Sequence, residues 1–356
     1  MKHIDEAARD ESRARAAAWR LPSLMPTNSS SPKGPRTILP DPRQTPRFAG
    51  ISTFCRYPRA EDVDAAHRPI DWLLYGVPFD SGVTYRPGAR FAPRAIRDAS
   101  QYVKSYHMTH RVSVVEKLSI ADAGDAPVQP YALKETLEGI AAWATNEAKS
   151  HGGTGNPSRL LAVGGDHSIA YANIKATHAG VGQPLALVHF DAHLDTVDNV
   201  WGESWGHASP FRRAIEERLI DPKAMVSIGV RGPLNTPTDL EFARDHGVTI
   251  LTREEVATDA GKGSLATKVR EIGSRSAYLT FDIDAIDPAF APGTGTPNVG
   301  GLSSIEALEL LRSLKGIDVV GADVVEILPD RDPAGITAFL AAHIVFEILA
   351  LDAARR

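Results

Sequence analysis

A single cysteine, Cys55, stands among 356 residues. One thiol cannot close an intramolecular disulfide, nor supply the paired thiolates of zinc ribbons and Cys-x-x-Cys redox motifs. Any metal this chain holds must be taken by other side chains, and such cysteine usage fits a reducing cytoplasm. Long apolar runs are also missing. The richest stretch, AFLAAHIVFEILALDAA from Ala338, is interrupted by His343, Glu347 and Asp352 and reads as a buried helix rather than a bilayer span. Nor is there a basic excess: 39 Lys and Arg stand against 44 Asp and Glu, for a net charge of -5. A pI near 6.2 and scattered basic residues provide no field for a nucleic-acid backbone. The N-terminus lacks the apolar core of a signal peptide, and Asp5, Glu6, Asp10 and Glu11 disfavour an organelle transit sequence. These absences predict a cytoplasmic protein with neither membrane nor nucleic acid as partner.

At 43% hydrophobic and 23% charged residues, the chain can bury a large core. Residues 1–45 read as an arm: a possible polar helix over the first 20, then the Pro- and Ser-rich SLMPTNSSSPKGPRTILPDPRQTPRF. From Asp71 onward, short apolar runs alternate with helical patterns. The runs are WLLYGVPF, LLAV, LALVHF, MVSIGV, VTIL, AYLTFDI and IDVVGADVV. RAIRDASQYV, ALKETLEGIAAWATNEAK, IEALELLRSL and TAFLAAHIVFEILALDAA carry apolar residues at helical spacing, and Asp332-Pro333 reads as the N-cap and first residue of the last helix. This alternation predicts an α/β fold on a mostly parallel sheet, with residues 46–356 as one domain.

Several of these strands end in acid. LLAVGGDHS, LALVHFDAHLD and YLTFDIDAID place Asp and His at their C-terminal ends, and IDVVGADVVEI ends in Glu326. Ligands bind at that edge of an open parallel sheet, so the four ends are expected to converge on one cleft. Taken singly, Asp166, Asp198 and Asp287 read as helix or turn caps. Asp191, His193 and Asp195 alternate, as do Asp282 and Asp284, so an extended backbone would aim each set to one side. Four crowded carboxylates repel unless cations neutralise them. Two divalent ions would balance them, with His167 and His193 adding imidazole nitrogen. The oxygen-rich, thiolate-free set favours Mn²⁺, with Ni²⁺ or Zn²⁺ as alternatives.

At GGDHS, FDAHLDT and FDIDAIDP the sequence resembles the ureohydrolase family of arginases, agmatinases and guanidinobutyrases. GVTYRPGARFAPRAIR, PGTGTP and DVVEILP add agmatinase-like detail, and the resemblance runs from about Trp72 to the C-terminus. It implies a three-layer α/β/α arginase-like fold, assembly as a homotrimer or homohexamer, and a binuclear Mn²⁺ centre. Carried over by motif, His167 and Asp195 hold one ion, His193 and Asp284 the other, and Asp191 and Asp282 touch both. The resemblance also makes His207, in the loop GESWGHASPF, a proton shuttle, and Glu326 the carboxylate that faces the substrate guanidinium. His189 is left with a packed or hydrogen-bonded role.

The expected reaction is hydrolysis of a guanidino C–N bond to release urea or a substituted urea, with agmatine the leading substrate. 4-Guanidinobutanoate, free guanidine and N-alkylated guanidines or biguanides such as metformin are kept open by departures from the agmatinase pattern. Ala208-Ser209 stands where Gly-Thr is common after the shuttle histidine, and Arg331 where an aromatic residue is frequent. Trp201 and Trp205 offer an aromatic wall for a cationic guanidine. Arg86 and Arg90 are candidates for a substrate carboxylate or for structural contacts, and Gly165, Gly293 and Gly295 for close backbone approach. Readings from other classes are a single-zinc deacetylase and a non-catalytic subunit in a hetero-oligomer with a related chain.

Overall fold

The centre of the molecule is a sheet of eight strands, all parallel, seen in a computed structural model that describes residues 34–356. In chain order they are β1 (Trp72–Gly76), β4 (Ile120–Asp125), β5 (Arg159–Val163), β6 (Leu185–Phe190), β7 (Ile220–Val230), β8 (Thr249–Thr252), β9 (Ser276–Asp282) and β10 (Asp318–Val325). A two-residue antiparallel ribbon, β2 (Tyr106–His107) with β3 (Val112–Ser113), lies apart. The spatial order is β4-β1-β5-β10-β9-β6-β7-β8.

Seven of these strands coincide with the apolar runs read from the sequence. The eighth, β4, does not: its IADAGD sequence is short of β-branched residues, and partnership with β1 alone makes it an edge strand. Side chains alternate across the sheet as period two requires. Trp72 and Leu74 enter one apolar cluster, and Leu73 and Tyr75 enter the other.

The longer helices are α1 (Ala92–Ala99), α2 (Leu133–His151), α3 (Ile169–Val181), α4 (Pro210–Glu216), α5 (Asp259–Ile272), α6 (Ser304–Ser313) and α7 (Ile336–Arg355). Buried residues of α1, α5, α6 and α7 join the first cluster, and those of α2, α3 and α4 join the second. Two helical layers therefore enclose the sheet, which is the three-layer α/β/α arrangement expected. The helix α3 escaped the sequence reading because eight of its residues are buried, and a helix that is apolar nearly all round shows little amphipathic period.

The last helix bears out one expectation, that it is buried, and corrects another. By length and mean hydropathy, α7 alone among the described residues would pass as a membrane span. It is instead mostly buried in the domain, and its acidic residues are paired: Asp352 accepts from the Trp72 indole at 2.9 Å, and Glu347 meets His107 at 2.8 Å. Asp332 is not its N-cap residue, because a 3₁₀ turn, Pro333–Gly335, intervenes. The Asp332 carboxylate still accepts from the backbone N–H groups of Thr337 and Ala338, at 2.7 and 2.9 Å, and so satisfies donors of the first turn.

Most of the expected arm, including its helix over the first 20 residues, falls outside the described residues. At Thr37 the chain is already tied to the core. Its backbone N–H donates to Val115 O at 2.9 Å, and its hydroxyl accepts from Ile120 N at the same distance.

Candidate metal centre

Register puts the motifs at one level. Val163 of β5 pairs with Val324 of β10, Val324 with Phe281 of β9, and Phe281 with Phe190 of β6. These four strands are the middle of the sheet, so the residues at or just beyond their ends, His167, Glu326, Asp282, Asp284, Asp191, His193 and Asp195, emerge side by side. The Phe190 and Phe281 rings stack beneath, with centroids 5.0 Å apart.

The side chains converge, though not by the extended alternation anticipated. Asp282 starts a 3₁₀ turn, Ile283–Ala285, and its carboxylate accepts from Asp284 N at 2.8 Å. Asp195 lies at φ 52°, a left-handed conformation uncommon for non-glycine residues. Tight turns, rather than continued strand, fold each pair of carboxylates back over the sheet edge.

Two groups result. His167 Nδ1 lies 2.8 Å from Asp195 Oδ2, 3.1 Å from Asp191 Oδ2 and 3.2 Å from Asp282 Oδ2. His193 Nδ1 lies 3.2 Å from Asp284 Oδ2 and 3.3 Å from Asp191 Oδ1. Asp191 thus turns one oxygen toward each imidazole, the geometry a bridging ligand needs. His189 stands behind it, with Nε2 2.8 Å from Asp191 Oδ2 and Nδ1 3.1 Å from Ser227 Oγ. It orients the aspartate from the far side.

The electrostatics call for cations. Burial, reinforced by the charges of Asp284 and Asp191, pushes Asp282 well above the usual carboxylate range. Burial and Asp191 likewise raise Asp284. Burial works against the charged form of His193, yet Asp284 and Asp191 drive it up to about 12. The protein by itself holds protons where it lacks positive charge. His167 Nδ1 is buried among three carboxylates without a hydrogen-bond partner, as suits a ligand atom facing a cation. Carboxylate oxygen with imidazole nitrogen suits hard or borderline divalent ions, so the donor set fits a pair of them.

Beside the cluster, Glu326 sits at φ 66°. Its Oε1 accepts from the His167 backbone N–H and from His207 Nδ1, both at 2.8 Å, while its buried Oε2 has no partner. His207 is nearly buried, and its Nε2 lies 2.9 Å from Thr84 N and 2.7 Å from Thr84 Oγ1. Burial opposes its charged form, but Glu326 and then Asp166 raise its pKa to about 9. The Thr84 N–H serves the neutral ring and the Thr84 hydroxyl the charged one, so either state has a partner. Thr84 lies in the GVTYRPGARFAPRAIR segment but had no residue-level signal there beyond a loop threonine.

Other expected residues fall elsewhere. Trp205 packs edge-on against Tyr171 at 5.0 Å with the Lys134 ammonium over its ring, contacts that brace the loop carrying His207. Trp201 is exposed and lines a cavity of about 320 Å³ with Thr84, Pro130 and Tyr131. Arg90 is committed to buried Asp80, and Arg331 lies exposed beside Asp330. The Arg86 guanidinium lies over the Tyr85 ring at 4.7 Å.

Asp166 is more than a cap: it accepts from Gly82 N at 2.7 Å, and burial and Glu326 raise its carboxyl to about 6. Asp198 pairs with Arg213, while Asp287 accepts turn N–H groups from Ala289, Gly300 and Gly301. Ala208 is not among the left-handed residues, so its methyl group imposes no backbone strain there.

Fold and cluster together define an α/β/α protein with a candidate divalent-cation site at the C-terminal edge of its parallel sheet. Residues 70–351 match the Arginase family, and the chain belongs to that family. It is 42% identical over 312 residues to the guanidinopropionase of Pseudomonas aeruginosa, covering 87% of this chain and 94% of that protein. It is 41% identical over 288 residues to an agmatinase of Neisseria meningitidis serogroup C, covering 80% and 88%. Among solved structures, proclavaminate amidinohydrolase from Streptomyces clavuligerus superimposes with a TM-score of 0.79 at 38% identity, covering 88% of this chain and all of that one.

Proposed function

We propose that this chain hydrolyses a guanidino C–N bond of a small guanidino compound at the cluster described, releasing urea or a substituted urea. One observation carries the assignment of the site: six donors from three strand ends face one another within 2.8–3.3 Å, beside a carboxylate oxygen, Glu326 Oε2, that has no partner. In this reading His167 and Asp195 hold one divalent ion, His193 and Asp284 the other, and Asp191 and Asp282 both, with Mn²⁺ favoured over Ni²⁺. When bound, the pair supplies a water acidified enough to attack carbon at neutral pH.

The protein residues do the rest. Glu326 Oε2 accepts N–H from the planar guanidinium, which fixes its central carbon over the cluster. Guanidinium is a poor electrophile because its charge is delocalised, so this orientation matters as much as binding. His207, held by Glu326 through Nδ1, carries the proton for the departing amine on Nε2. Trp205 contributes through the loop that carries His207.

Agmatine is the first substrate to test, followed by 3-guanidinopropanoate, 4-guanidinobutanoate, guanidine and metformin. The P. aeruginosa relative named for guanidinopropionate supports including guanidino acids. The proposal carries with it a homotrimer or homohexamer acting in the cytoplasm. The deciding experiment is urea release by the purified chain loaded with Mn²⁺ or Ni²⁺, run across that panel. Urea from at least one compound, abolished by Asp191→Asn together with metal uptake, is expected. No urea from any compound, with metal content unchanged in Asp191→Asn, would overturn both the site and the reaction.

A further inference from the structure

The proposed ligand His167 has two ring nitrogens, and the structure treats them differently. Nδ1 faces Asp191, Asp195 and Asp282. Nε2 points back into the sheet, 2.8 Å from Thr280 Oγ1. The Thr280 hydroxyl has one proton, and it is donated to Asp323 Oδ1 at 2.5 Å. With its proton directed there, Oγ1 meets the imidazole as an acceptor, so Nε2 must be the N–H donor. The nitrogen left without a proton in the neutral ring is then Nδ1, the one that faces the carboxylates.

The far end of this chain is firmly held. Thr280 and Asp323 are wholly buried on the adjacent strands β9 and β10, where they pair directly in register. Asp323 also accepts from the Tyr278 hydroxyl through Oδ2, Tyr278 accepts from Asn173 Nδ2 at 2.7 Å, and Asn173 Oδ1 accepts from the Tyr75 hydroxyl at 2.7 Å. The network lies beneath the cluster and shares none of the proposed ligand atoms. A buried carboxylate surrounded by hydroxyl donors cannot turn the Thr280 proton around without losing an acceptor.

We infer that Thr280 and Asp323 are positioning residues that hold His167 with its proton on Nε2, presenting Nδ1 to one cation of the pair. The inference rests on the two-cation reading above and names residues outside the ligand set. Outer partners of a metal-bound histidine are worth roughly 10- to 100-fold in metal affinity. The loss is confined to the ion that His167 holds, since the second ring nitrogen of His193 meets the Asn298 side-chain amide, at 2.8 Å, and neither Thr280 nor Asp323.

The test is a Mn²⁺ binding isotherm by equilibrium dialysis on the full chain. Wild type is expected to take up two equivalents. Thr280→Val keeps the shape but removes the acceptor, and should weaken one equivalent about 10- to 100-fold while sparing the other; Thr280→Ser should restore it. In Zn²⁺-loaded, ¹⁵N-histidine-labelled protein, a slowly exchanging Nε2–H proton of His167 is expected in wild type and Thr280→Ser, and its loss in Thr280→Val. Asp323→Asn provides a second route should Thr280→Val fail to fold, with the same selective loss expected. Wild-type affinity for both equivalents, or an equal loss of both, would overturn the relay. A wild-type chain that binds no Mn²⁺ would instead overturn the two-cation reading.

Discussion

Glu326 is held at φ 66° between Gly165 O, which accepts its backbone N–H at 3.0 Å, and the His167 N–H that its side chain accepts. A left-handed glutamate is strained, and such strain persists where the surroundings over-determine it, often at functional sites. Glu326→Gln should leave the cation ligands in place but remove the charge meant for a guanidinium. Steady-state kinetics should show kcat/KM down roughly 100-fold, about 2.7 kcal/mol, with bound Mn²⁺ unchanged. The same substitution tests the coupling to His207. With a folded pKa of about 9 against an ordinary 6.5, the His207–Glu326 pair stabilises the fold fully below about pH 6.5, and that contribution is lost as pH rises through about 9. In its proposed role as proton donor, His207 stays charged below that value, so the pH profile of kcat/KM should fall on its alkaline side near pH 9. Without the Glu326 charge this limb should move toward neutral pH; an unmoved limb in Glu326→Gln would show that another group sets it.

At the scale of elements, the turns that follow the strands carry the site. Gly165 lies at φ 86°, and a Cβ there would come within 2.9 Å of Val77 O, so the GGDHS turn requires glycine. A Cβ on Gly295 would lie 2.9 Å from Arg86 O and 3.6 Å from Glu326 Oε2. Gly295→Ala should therefore reduce kcat/KM severalfold with little change in thermal midpoint, because the displaced loop borders the Glu326 carboxylate proposed to meet the substrate rather than the core. Asp332→Ala is the contrasting case. It removes the acceptor for two first-turn N–H groups of α7, and denaturant unfolding should show a loss of about 1 kcal/mol with metal affinity intact. Seven of the eight central strands were legible as apolar runs. β4 was not, since an edge strand of Ala, Asp and Gly owes its conformation to its neighbour rather than to propensity. α3 was hidden for the opposite reason, burial around nearly its whole circumference.

For the molecule as a whole, the proposed cation pair would make stability depend on bound metal. Asp191, Asp195, Asp282 and Asp284 meet where four interior strands end, and without counter-ions burial and the neighbouring carboxylates push Asp282 and Asp284 toward their protonated forms. Ions that bind only the folded state stabilise it by about 2.7 kcal/mol at one hundred times the dissociation constant. Chelation should accordingly lower the thermal midpoint by several degrees. Since the ions displace protons from His193 and the carboxylates, Mn²⁺ affinity should also rise with pH. A midpoint indifferent to chelator would count against a buried cation pair.

The sequence by itself determined the parallel sheet, the donor types and the order of the three acidic motifs, because apolar periodicity and motif spacing are local properties. Tertiary structure decided what no local pattern contains: the register of Val163, Val324, Phe281 and Phe190 that sets the motifs side by side, the turn at Asp195, and the partnership of Thr84 with His207. It also gave Trp205 and Arg90 the partners Tyr171 and Asp80, which for Arg90 is the structural one of its two open readings. Thr280 and Asp323 were visible only as polar residues inside apolar strands. Pairing between β9 and β10 made them neighbours, and burial joined them by a hydrogen bond in a chain that runs on to His167 and Tyr278.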